Sequence, residues 1–208
     1  SELGPECRLC YVIGTEVPVP GGAFAHEDGV QATSVESARN TLDIMRTAFA
    51  QAGLDAAWNH VIALVVQPGV EFGDDFVFDY VPEAAHELAH FAETIPLIYE
   101  AHSTDYQTRQ NLRALVRDHF AILKVGPALT YAFREAIFSL VMIENELFPF
   151  DECSHLLEVL DDAMQRDPGH WKKHYHGTPM EQAFARKYSL SDRVRYYWTT
   201  PSVQAALG

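Results

Sequence analysis

The chain has 208 residues, 48 % apolar and 21 % charged, enough for one sizeable core with no forced division. Fifteen Lys and Arg stand against 29 Asp and Glu, and the net charge of −14 argues against nucleic acid and anionic membrane as partners. No apolar run approaches the ~20 residues that span a bilayer, and the three cysteines (Cys7, Cys10, Cys153) are too scattered for a disulfide framework, so a soluble protein of a reducing compartment, the cytoplasm, is expected.

Four short apolar runs follow one another: CYVIGTE (10–16), VIALVV (61–66), PLIYEA (96–101) and AILKV (121–125). Each is of strand length, rich in β-branched or aromatic residues, and apolar without alternation. That pattern predicts parallel strands covered on both faces. Helical patterns lie between them. Thr33-x-x-Glu36 reads as a capping box, followed by Ala38, Leu42, Met45, Phe49 and Ala52 on one face and Gly53 as a stop. Further amphipathic segments fill 82–94 and 108–119. Pro127 then opens a helix carrying Leu129, Phe133, Ala136, Leu140, Ile143 and Leu147, which Pro149 breaks. Strand and helix alternate four times, so the class is α/β.

From residue 150 the strand signals stop, and 152–166 and 179–198 read as helices flanking a polar loop. Four parallel strands with this many helices fit half of a (β/α)8 barrel, a fold typically of ~250 residues. Its ligands bind at the C-terminal strand ends. The chain has no initiator Met and closes on PSVQAALG, which reads as a helix just begun; a segment of a longer protein is expected.

Each strand end carries chemistry. Glu16, before the PVPGG turn (18–22), could bind a metal, a sugar hydroxyl or a proton, or serve as a rim acid satisfied by backbone N–H groups. Gln67 in QPGVEF is a candidate hydrogen-bonding group. In EAHSTD, Glu100 and His102 lie two apart on one strand and point the same way, an arrangement that binds a divalent metal or passes a proton, or is an ordinary hydrogen-bonded pair. Gly126 stands at a helix start, where free N–H groups suit phosphate, and with Ser103 and Thr104 forms a candidate anion cradle. Cys7-x-x-Cys10 has metal spacing but no second pair, so a small buried thiol is expected. GHWKKHYHG (169–177) reads as a rim or interface loop before a zinc site. In YSLSDRVRYYW (188–198), Arg193 and Arg195 could reach a phosphate, and an aromatic helix packing on its neighbours is the alternative.

The runs YVIGTEVPVPGG, IALVVQPGVEF, EAHSTDYQT, HFAILKVGPALTYAFREAIFSL, HYHG and YSLSDRVRYYW resemble the Z-type subunit of class II D-tagatose-1,6-bisphosphate aldolase, a family that often carries the label tagatose-6-phosphate kinase. The resemblance covers most of the chain. It implies that residues 1–150 are strands five to eight of a class II aldolase-type (β/α)8 barrel and that 151–208 are a helical extension of the same domain. It further implies an accessory, non-catalytic subunit in tagatose and galactitol catabolism, an oligomer that supports a separate catalytic zinc subunit. The catalytic relatives place a His after strand six and another after strand seven; here the first place has none and the second holds Glu100, with the imidazole two residues on. Glu16 matches an acid of the relatives, and Ser103 and the KVGPA turn, with Lys124, match their phosphate cradle. Glu16, Glu100 and His102 are thus the candidate catalytic and metal-ligating residues, an oxygen-rich set that suits a harder divalent ion than zinc, or none. Gln67, Ser103, Thr104, Lys124 and Gly126 are the candidate sugar phosphate-binding residues. An aldolase active by itself and a sugar phosphate kinase remain as alternatives; the second lacks any G-x-x-x-x-G-K-[ST].

Overall fold

The computed structural model describes residues 9–14 and 30–208. Glu16, the PVPGG turn and Cys7 lie outside the described residues. The elements run β1 (Tyr11–Ile13), α1 (Val35–Gln51), α2 (Asp55–Trp58), β2 (Val61–Val65), β3 (Glu71–Phe72), β4 (Val77–Phe78), α3 (His86–Ala92), β5 (Ile98–Ala101), α4 (Arg109–Arg117) and β6 (Phe120–Leu123). They continue with α5 (Pro127–Leu147), α6 (Leu156–Arg166), α7 (Pro179–Tyr188) and α8 (Pro201–Leu207). The described residues group into two compact units, one of 9–14, 30–71 and 77–124, the other of 72–76 and 125–208.

In the first unit, β1, β2, β5 and β6 pair in that order, all parallel. These are the four expected strands, and the class is α/β. A register row of Ile13, Leu64, Tyr99 and Phe120 crosses the sheet, and all four side chains are buried. They pack against Ala38 of α1, Leu88 and Phe91 of α3, and Leu115 of α4. The Tyr99 hydroxyl donates to the Leu88 carbonyl at 2.8 Å, which satisfies it inside the core. The opposite face departs from the expectation of cover on both sides. In the row Val12–Ala63–Ile98 the two flanking residues are 40 % and 38 % exposed. An unalternating apolar run therefore marked a parallel strand, while its second face is covered unevenly in the described residues: Ala63 is buried between the two exposed neighbours. Cys10 is exposed as well, against the expected buried thiol.

The cap of α1 differs by one residue from the expected Thr33 box. Ser34 has extended backbone, and its hydroxyl accepts from Ser37 N at 3.1 Å. Thr33 is drawn to the end of β2, where its Oγ1 accepts from Gln67 N at 2.8 Å. At the far end Gly53 takes φ +69, the left-handed conformation that closes a helix at low cost only for glycine.

In the second unit, α5 follows its two prolines as expected, but its sides are reversed. Arg134 and Val141 are buried, with Ile137 and Phe138 half-buried beside them, while Leu129, Phe133, Ala136, Leu140, Ile143 and Leu147 are all exposed. α5 packs with the C-terminal helices: Val141 shares their core with Leu156, Leu160, Met164, Trp171, Tyr197 and Val203. Helix 179–198 ends early, at Tyr188. Asp192 adopts φ +46, which interrupts the helix, and only a short 3-10 turn, Arg193–Tyr196, follows.

Candidate functional site

Parallel strands deliver their last side chains to one edge, and β5 and β6 end there with the acid, the imidazole and the base of this site. Glu100 pairs in register with Ile122, so Lys124, two residues on, leaves β6 beside it. Lys124 Nζ lies 3.0 Å from Glu100 Oε1, and His102 Nε2 lies 2.7 Å from the same oxygen. Burial would raise the Glu100 carboxyl, but hydrogen bonds from Lys124 and His102 outweigh it and hold the carboxyl below its ordinary range. The pair therefore contributes stability at neutral pH, and that contribution is lost as pH falls through the depressed value.

The loop after β5 is built tightly. Ser103 and Tyr106 take φ +54 and +62, a region non-glycine residues enter at a cost of roughly 1–2 kcal/mol. The buried Thr104 donates its hydroxyl to Lys124 O at 2.9 Å, and its N–H reaches the same carbonyl at 3.2 Å. Thr104 is thus a brace between the loop and β6, with its donor engaged rather than offered to an anion. The Ser103 hydroxyl, half-buried, makes no hydrogen bond among the described residues. Gln67 Oε1 accepts from Gly69 N at 2.9 Å and Val70 N at 3.0 Å, so it shapes its own turn. Gly126 opens α5 in the other unit, with no side-chain cap hydrogen bond there.

The pairing of Glu100 tests the fit of a divalent cation. Its Oε1 already faces the Lys124 ammonium and the His102 ring. A metal ion there would have to displace a cation 3.0 Å away and break the 2.7 Å contact with His102 Nε2. Glu100, His102 and Lys124 do not fit a metal centre, and among the described residues no group of three or more His, Cys, Asp or Glu is placed to hold one.

The later motifs build a second polar cluster inside the other unit. Asp74 Oδ1 accepts from Ser189 Oγ and Ser191 Oγ, both at 2.7 Å. Ser191 Oγ also reaches the Tyr175 hydroxyl at 3.3 Å, and that hydroxyl accepts from Arg193 N at 3.2 Å. Beside this network lies a cleft of about 620 Å3, with Asp75, His174, His176 and Phe184 on its walls. Burial, and then the Arg193 guanidinium, hold the His174 imidazole below its usual range. The arginines expected to reach phosphate serve the loop instead: Arg193 is buried and donates to His170 O at 3.0 Å, and Arg195 donates to Asp192 O at 3.0 Å. Asp74 was not singled out in the sequence. It joins Ser189 across 115 residues, a separation at which no local pattern carries a signal.

Comparison with known proteins gives this geometry its context. The family profile for the D-tagatose-1,6-bisphosphate aldolase subunit GatZ/KbaZ-like proteins matches residues 2–208. The chain belongs to this family. Among GatZ/KbaZ-like relatives it is 53 % identical over 200 residues to the D-tagatose-1,6-bisphosphate aldolase subunit GatZ of Salmonella dublin, covering 96 % of this chain and 47 % of that protein. It is 52 % identical over 202 residues to GatZ of Salmonella typhimurium, covering 97 % and 48 %. The chain thus spans about half the length of the curated relatives it matches. The crystal structure of a probable tagatose 6 phosphate kinase from Sinorhizobium meliloti 1021 superposes with TM-score 0.85 at 43 % identity, over 95 % of this chain and 48 % of that one. The GatZ/KbaZ-like pattern quoted from the sequence therefore holds along nearly the whole chain. Among its described residues no helix is long and apolar enough to cross a membrane.

Proposed function

We propose that the protein containing this chain is an accessory subunit of D-tagatose-1,6-bisphosphate aldolase, acting in the cytoplasm in tagatose and galactitol catabolism. It binds a separate catalytic subunit and raises that subunit's activity and stability. Residues 1–150 supply strands five to eight of a class II aldolase-type (β/α)8 barrel, and 151–208 extend the same domain. The exposed row of Val12 and Ile98 supports this reading, because a parallel sheet is ordinarily covered on both faces and a closed barrel covers the inner one.

One observation carries the accessory reading: at the strand end where the catalytic relatives hold a zinc-binding imidazole, Glu100 is neutralised by Lys124 and His102. Aldol cleavage through a metal needs about three firm protein ligands and an open position. A rim whose carboxylate is held by an ammonium offers neither. What remains is binding chemistry, with Ser103 and Gln67, both of the first unit, as the groups for a sugar phosphate.

The test uses the full-length protein and the catalytic subunit, each purified separately, with D-tagatose 1,6-bisphosphate as substrate. The accessory reading expects no cleavage by the full-length protein alone and a several-fold rise in the catalytic subunit's rate when the two are mixed. An unchanged rate with no complex on size-exclusion chromatography contradicts it. ATP-dependent phosphorylation of tagatose 6-phosphate would restore the kinase reading.

A further inference from the structure

Glu100, His102 and Lys124 lie at the C-terminal ends of the strands. At the opposite ends, where Val61 opens β2 and Leu97 precedes Ile98 of β5, the first unit contains a separate cleft of about 560 Å3. We propose that this cleft binds a small organic anion with a flat apolar body, a function beyond the accessory role and independent of it.

The anionic specificity comes from α1. Arg39 and Arg46 both line the cleft and are seven residues apart, two helical turns, so they share one wall. Neither forms an ion pair among the described residues. In a chain of net charge −14, two arginines without carboxylate partners beside one cavity make a local positive field. Asp43 lines the cleft too and offsets one of the two charges, which favours a singly charged ligand over a bisphosphate.

The apolar specificity comes from the floor. Phe91 is buried, with the Arg39 guanidinium carbon 5.2 Å from its ring centroid, a stacking contact that holds that cation over the floor. Trp58 is held edge-to-face against Phe49 at 5.5 Å. A flat ring can lie against the Trp58 side of the cleft while its acid group meets the guanidinium groups, and Asn59 adds a neutral hydrogen-bonding side chain at the edge. The volume lies within the ~300–1,000 Å3 usual for small-molecule sites.

The probe is 8-anilinonaphthalene-1-sulfonate, titrated by fluorescence into the full-length protein, beside its uncharged analogue N-phenyl-1-naphthylamine. The proposal expects one saturable site that prefers the sulfonate by about tenfold or more, a preference abolished by Arg46→Gln and retained by Arg46→Lys. Arg46 is exposed, so Arg46→Gln is expected to unfold at the same urea midpoint as the parent; Arg39→Gln provides a second, independent loss of the preference. Equal binding of the two probes, or a preference that survives both glutamine variants, overturns the proposal.

Discussion

Replacing Arg134 with Met is expected to cost the full-length protein about 3–5 kcal/mol of stability. Arg134 and Asp192 are both buried, and the guanidinium donates to Asp192 Oδ1 at 2.8 Å and to Ser189 O at 3.2 Å. Thr130 donates to the other carboxylate oxygen, and the Tyr131 ring lies 4.1 Å from the guanidinium carbon. Burial pushes the Asp192 carboxyl up against the pull of Thr130 and Arg134, so desolvation is already the larger influence on it. Without the cation a buried carboxylate keeps one hydroxyl as its side-chain hydrogen-bond partner and the Arg195 charge near it. Asp192→Asn, chosen because Asn tolerates the positive φ, strands the arginine in turn. The double variant removes both charges and is expected to recover much of the loss, so a double-mutant cycle by urea unfolding gives a large coupling. A loss below about 1 kcal/mol for Arg134→Met contradicts the assignment of this pair as the anchor of the 189–195 loop.

The second large effect is expected on the other side of the same helix. Leu129, Phe133, Ala136, Leu140, Ile143 and Leu147 recur at alternating steps of four and three, the spacing of a face meant for burial. In the chain described, Leu140 is 59 % exposed and Leu147 69 %. Soluble proteins rarely leave such a stripe in water. On the half-barrel reading the rest of the full-length chain covers it, since the curated relatives are about twice as long. Leu140→Glu combined with Ile143→Glu is then expected to destabilise the full-length protein by roughly 3–6 kcal/mol, two apolar side chains at ~1.5–3 kcal/mol each. If the stripe stays open in the full-length protein, the same change falls within about 0.5 kcal/mol of neutral.

The strands were legible because a buried parallel strand needs an unbroken apolar run, and the two prolines bounded α5 for reasons of backbone geometry alone. The sides of α5 were not legible. Periodicity shows that an apolar face exists, and only the arrangement of the other helices shows whether Val141 or Ile143 is turned toward them. The Ser34 cap fell one residue from the expected Thr33 because two adjacent hydroxyls offer the same local chemistry, and a contact with Gln67 34 residues away selects between them. At the candidate site, the convergence of Glu100 and His102 followed from strand alternation. Lys124 was placed with the phosphate-binding groups, and its pairing with Glu100 required the register between β5 and β6, which no single strand encodes. Asp192 gave no sign of its partner, because Arg134 is 58 residues away on α5.

The central claim is that the Glu100 rim is closed to metal chemistry by its own lysine and histidine. Zinc titration of the full-length protein by isothermal calorimetry, with aldol cleavage followed in the same samples, tests it most directly. The account predicts no zinc bound in a manner sensitive to Glu100→Gln, and no cleavage at any zinc concentration. One tightly bound zinc per chain, lost in Glu100→Gln together with cleavage of D-tagatose 1,6-bisphosphate, would contradict it.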